Sequence, residues 1–121
     1  RMVKDLNLEI EILSFPIVRD KEGFAISSRN SYLSICERES AQAVFKVLNE
    51  IKREFNNGKR DSGEMIGLAK RVLDNEEMIR LEYLEICDPE TLNRKEYAEN
   101  GDLLAIAVRL GQTRLIDNMR L

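Results

Sequence analysis

Ile17-Val18-Arg19-Asp20-Lys21-Glu22-Gly23-Phe24-Ala25-Ile26-Ser27-Ser28-Arg29-Asn30-Ser31-Tyr32-Leu33 is the stretch around which the rest of the chain is ordered. Its first half has the form of a short hairpin. Ile17, Val18 and Arg19 are β-prone, Asp20 to Gly23 is a polar turn closed by glycine, and Phe24-Ala25-Ile26 runs back. Ser27, Ser28, Arg29 and Asn30 follow at the strand exit with no apolar residue among them. Two hydroxyls and a guanidinium suit a polyanion, since Arg chelates phosphate oxygens bidentately while hydroxyls and backbone N–H groups fill the remaining acceptors. The same residues also suit a surface loop in which Ser and Asn satisfy their own turn, so the chemistry permits an anion site without requiring one.

Upstream, Arg1 to Leu6 carries apolar side chains at 2, 3 and 6, as on the end of a helix, and Asn7 is a fitting stop. Leu8, Ile10 and Ile12 alternate with Glu9 and Glu11, which predicts a strand over 8–13 with one wet face. A helix tail feeding a strand is half of a βαβ unit, and no first strand precedes it, so the sequence is expected to open inside a domain. Downstream, Ser34 stands three residues before Glu37, the pattern of a capping box. Ala41, Val44, Phe45, Leu48, Ile51 and Phe55 follow at helical spacing up to Asn57-Gly58. A second helix is predicted from Asp61, with Glu64 three on and a stripe of Met65, Ile66, Ala69, Val72 and Leu73. Gly63 and Gly67 each weaken it by about 1 kcal/mol if they lie in its interior. Both stripes are expected to be core.

The remainder reads as β-rich. Ile79, Leu81 and Tyr83 share one parity and Leu84 and Ile86 the other, a phase change that predicts a bulge or burial on both faces. Asp88-Pro89-Glu90 is a turn signal. Leu103 to Leu110 is apolar at both parities except Arg109, as in a central strand. Gly111-Gln112 links it to an antiparallel strand predicted over Thr113 to Asp117. Two main helices packed on a small antiparallel sheet make an α+β domain.

At 121 residues there is room for one modest core. A hydrophobic content of 43% with 34% charged residues is that of a folded domain rather than a disordered segment. The net charge of −3, with signs interspersed, argues against a nucleic-acid surface. No apolar run is long enough to span a membrane. Cys36 and Cys87 lack metal-ligand spacing and read as reduced thiols of a cytoplasmic protein. Histidine is absent, which removes the commonest general base and the commonest metal ligand together.

Four segments in order, Arg1-Met2-Val3-Lys4-Asp5-Leu6-Asn7-Leu8, Pro16 to Leu33, Tyr83 to Leu92 and Gly111 to Asn118, resemble the pantoate–β-alanine ligase family over nearly the whole chain. The resemblance implies three parts. Residues 1–15 would be a remnant of a Rossmann-like nucleotide-binding domain, 16–30 a hairpin and ATP-contacting linker, and 31–121 a C-terminal lid. It implies an amide-forming ligase that activates pantoate with ATP and Mg²⁺ to pantoyl adenylate, releases pyrophosphate, and lets β-alanine displace AMP. Carried over residue by residue, Ser27, Ser28 and Arg29 would lie over the ATP phosphates, Arg29 serving catalysis by charge stabilisation. Val18 would contact adenine through its main chain, and Ile26 would join the nucleotide contacts by backbone and packing.

The family's histidine loop, its pantoate-binding glutamines and its lysine–aspartate loop do not occur in this sequence. Pantoate and β-alanine would therefore be held mainly outside it, the chain alone would be inactive, and the complete enzyme would be a cytoplasmic homodimer. Cys36 at a helix start, the Lys4-Asp5 pair, and Arg109 and Arg114 on strand faces read as structural or solvated. A small anion-sensing module and a protein-interaction domain remain open as alternatives.

Overall fold

The computed structural model describes all 121 residues. They form α1 (Met2–Asp5), a 3₁₀ turn (Ser28–Tyr32), α2 (Ile35–Asn56), α3 (Ser62–Leu73), β1 (Ile79–Cys87), β2 (Leu103–Leu110) and β3 (Thr113–Arg120). The capping box forms as its spacing predicts. Ser34 Oγ accepts the Glu37 amide at 3.3 Å, and the Glu37 carboxylate accepts the Ser34 amide at 2.8 Å. From that start α2 buries Ala41, Val44, Leu48, Ile51 and Phe55, with Val47 beside them. Phe45, expected in the same stripe, is only half-buried, because it turns its ring toward the hairpin instead.

α3 starts where Asp61 caps the Glu64 amide at 2.8 Å, and it buries Met65, Ala69 and Leu73, one per turn. Val72, also expected in the core, is exposed.

The three strands form an antiparallel sheet in the order β1-β2-β3, so β2 is central, as its unbroken apolar character predicts. The phase change in β1 is a bulge. Leu81 pairs with Val108 and Tyr83 with Ala107, leaving Glu82 unpaired between them. The bulge turns the inward parity from Ile79 and Leu81 to Leu84 and Ile86. Leu84, Ile86, Leu104, Ile106, Val108, Leu110 and Leu115 meet the stripes of α2 and α3 in one core. The molecule is therefore an α+β unit with helices on one face of a small antiparallel sheet.

A further sequence expectation fails. Residues 8–13 are not a strand, and Ile10, Ile12 and Leu13 are all exposed. Alternation marks a segment fit for a sheet, but a ladder needs a neighbour, and no strand of this chain lies beside the segment. Asn7 does end α1, in the left-handed conformation at φ 49°.

Candidate functional site

The hairpin is present in miniature. Arg19 and Ala25 form an antiparallel bridge, flanked by the Asp20 amide donating to the Phe24 carbonyl (2.9 Å) and the Ile26 amide donating to the Val18 carbonyl (3.0 Å). Asp20 builds the turn, its Oδ1 accepting the amides of Glu22 and Phe24 at 3.0 Å each. Gly23 closes it at φ 85°, and a Cβ there would stand 2.1 Å from Phe45 Cε1, so the turn requires glycine twice over. Phe24 is buried in the core while Val18 and Ile26 are exposed.

Ser27 caps the 3₁₀ turn, its Oγ accepting the Arg29 amide at 3.3 Å and its carbonyl the Asn30 amide at 3.1 Å. Because Oγ is used as an acceptor, its proton remains free to donate. The amides of Val18, Ser27 and Ser28 have no acceptor within the protein. The Arg29 guanidinium is exposed and pairs with no carboxylate. Unpaired donors gathered at one turn make a concavity fit for an anion.

Ile26, Ser27 and Arg29 line a groove of about 490 Å³ whose far wall is β3, including Arg114, Ile116 and Asp117. Val18 and Ser28 lie outside its lining, so three of the five sequence-predicted residues come together there and two stand at its margin. Asn30, placed in the linker by the sequence but not among its nucleotide contacts, donates to the Ala25 carbonyl at 2.9 Å, while its Oδ1 is buried without a partner.

Two arginines and one carboxylate line the groove. Its carboxylate, Asp117, is taken by Arg19, which donates from both terminal nitrogens at 2.7 and 2.9 Å. That leaves the guanidiniums of Arg29 and Arg114 facing the cavity. Arg114 is held through Nε by Glu82, 2.7 Å away, and Arg109 donates to the other oxygen at 2.8 Å. These donors, Arg114 first, hold the Glu82 carboxyl below its usual range against the opposing effect of desolvation. The bulge thus supplies the counter-charge for two arginines that the sequence offered only as ordinary strand-face charges. Lys4, expected to be solvated, pairs with Glu90 at the surface. Cys36 is exposed in the first turn of α2, and Cys87 is buried and unbridged.

An α+β unit bearing an anion-competent turn at the exit of a hairpin is the class that fold and groove define. The sequence profile of the pantoate-beta-alanine ligase family matches residues 1–120. The chain belongs to that family. It is 44% identical over 118 residues to pantothenate synthetase of Enterococcus faecalis and 41% identical over 118 residues to that of Syntrophus aciditrophicus. These alignments take in 98% of the chain but 42% and 41% of the relatives, so the chain spans about two fifths of their length. A crystal structure of pantothenate synthetase from Thermus thermophilus superposes with a TM-score of 0.90 at 33% identity, covering 98% of this chain and 42% of that one. The Francisella tularensis ligase, at 22% identity and a TM-score of 0.58, shares the fold.

Proposed function

We propose that the chain is the C-terminal lid of an ATP-dependent pantoate–β-alanine ligase, and that its hairpin and Ser27–Arg29 turn form one half of the nucleotide site. The observation that carries this reading is the turn itself: free amides at Ser27 and Ser28, a donating hydroxyl at Ser27 and an unpaired Arg29 guanidinium, all beside the groove against β3. Family membership supplies the anion.

In the first half-reaction a pantoate carboxylate oxygen attacks the α-phosphorus of ATP and pyrophosphate departs. In the second, the β-alanine amine attacks the acyl carbon, loses a proton, and AMP leaves. Negative charge grows between the α- and β-phosphates in the first step. Arg29 stabilises it there, while Ser27 and Ser28 hold phosphate oxygens through hydroxyl and amide. Val18 offers its unpaired amide to an adenine ring nitrogen, and Ile26 packs an exposed apolar side chain beside it. Closure of the lid keeps water from the mixed anhydride. ATP chemistry of this kind uses Mg²⁺, but no three acidic or thiol side chains converge in this chain and Asp117 is already paired.

Arg29→Ala in the complete ligase is expected to slow adenylation by about 10²- to 10³-fold, measured as pantoate-dependent pyrophosphate release. Near-normal adenylation would remove Arg29 from the site. A titration of the chain with ATP and, separately, pyrophosphate adds a second readout by amide shifts. Larger shifts for ATP at Val18 and 26–29 support a nucleotide site, whereas equal shifts for both ligands point to an anion-sensing module.

A further inference from the structure

Asp117 occupies an unusual place for a carboxylate. On β3 it shares parity with Leu115 and Met119, the residues that face the core, and its side chain is 5% exposed. A hydrophobic residue would fit that row. Arg19 reaches it from the hairpin with a two-pronged contact, and the same guanidinium donates to the carbonyls of Gly23 (3.1 Å) and Asn118 (3.3 Å) while stacking 4.4 Å from the centre of the Phe45 ring. The Asn118 amide returns to Asp117 Oδ1 at 2.7 Å. One side chain therefore ties together the hairpin, the edge strand and the α2 face.

A buried ion pair adds little net stability over a well-packed apolar pair, because desolvation offsets most of the attraction. What parallel hydrogen bonds do supply is a fixed distance and a fixed plane. We infer that the Arg19–Asp117 pair positions the nucleotide turn, setting the angle at which Ser27–Arg29 faces the ligand. This rests on the ATP reading of that turn. The linkage is short. Arg19 bridges to Ala25, Ile26 bonds back to Val18, Ser27 comes next, and the Asn30 side chain bonds to Ala25, so the turn inherits its placement from the hairpin. The remaining polar ties between hairpin and helix, Arg38 to Asp20 and Gln42 to Glu22, are surface contacts of small weight. Phe24 anchors the hairpin's depth in the core, but an apolar contact is non-directional and leaves its rotation free.

The test uses Asp117→Asn and Arg19→Lys in the complete ligase, with Arg29→Ala alongside. Asp117→Asn keeps the shape and loses the charge, and Arg19→Lys keeps the charge and loses the fork. Each is expected to raise KM for ATP by about tenfold or more, as small misplacements of binding groups do, with KM for β-alanine unchanged. In the 121-residue chain the same changes should shift the amides of 27–29 but not those of Met65 and Leu73 in α3. A lower melting temperature with ATP KM and turn amides unaltered would mean that the pair is structural only, and would overturn the inference. If Asp117→Asn fails to fold, Arg19→Lys decides alone. If Arg29→Ala also leaves ATP untouched, it is the nucleotide reading that fails; if Arg29→Ala weakens ATP and the pair variants do not, only the positioning role falls.

Discussion

Cys87 shows how placement sets the chemistry of a single residue in this fold. Burial, and then the charges of Asp102, Glu85 and Asp88, push its thiol pKa above the usual value. An unfolded chain has no such environment, so on raising the pH it ionises first and the native state loses stability as pH climbs from the unfolded thiol value through the folded one. Denaturant midpoints of the wild type and of Cys87→Ala should therefore converge above about pH 8.5. A gap that stays constant with pH would count against this. Cys36, exposed, should react with a thiol reagent in the native state, with Cys87 following only on unfolding. Glu82 works in the opposite sense. Its depressed pKa contributes stability that is present above the unfolded carboxyl value and is lost as pH falls through the folded one. Acid should therefore release Arg109 and Arg114 from the bulge.

At the level of elements, two glycines with opposite demands make a paired prediction. Gly67 lies in the interior of α3 with open space where a Cβ would go, so Gly67→Ala should raise unfolding stability by up to about 1 kcal/mol. Gly23→Ala meets both a left-handed φ and the Phe45 ring, and should destabilise the fold and displace the hairpin. Thermal melts of the two variants check both signs. The caps, the helical stripes, the bulge and the central strand were all legible in sequence, because each is set by local spacing or by the parity of apolar residues. Phe45 departs from its stripe because a spacing rule cannot tell a ring turned to the core from one turned to a loop. The strand expected over 8–13 fails for another reason: alternation is a property of one segment, whereas pairing belongs to two. Ser27, Ser28 and Arg29 could be picked out as donors, but the groove needed β3 in place opposite them. Arg19 and Asp117 carried no local signal except an acid at a core-facing parity.

For the molecule as a whole, the groove has donors for an anion on both walls, and its carboxylate is already neutralised. Such a surface can hold anionic oxygens but has no free group to take a proton. The 121-residue chain is accordingly expected to bind ATP weakly and to release no AMP when supplied with pantoate and β-alanine. AMP formation above background by the purified chain would contradict the lid reading. The clamp between hairpin and sheet carries a further consequence, in time rather than in space. Arg19 and Asp117 are 98 positions apart, and they meet only across an edge strand that must first dock on β2. Closing so long a loop is slow compared with winding a helix, so α2, α3 and the first strand pair can form while the turn still lacks its seat. Conversely, any opening that frees β3 releases the turn and withdraws Leu115 from the core it shares with the helices. A population with full helical signal can thus contain molecules whose Ser27–Arg29 turn is not yet seated.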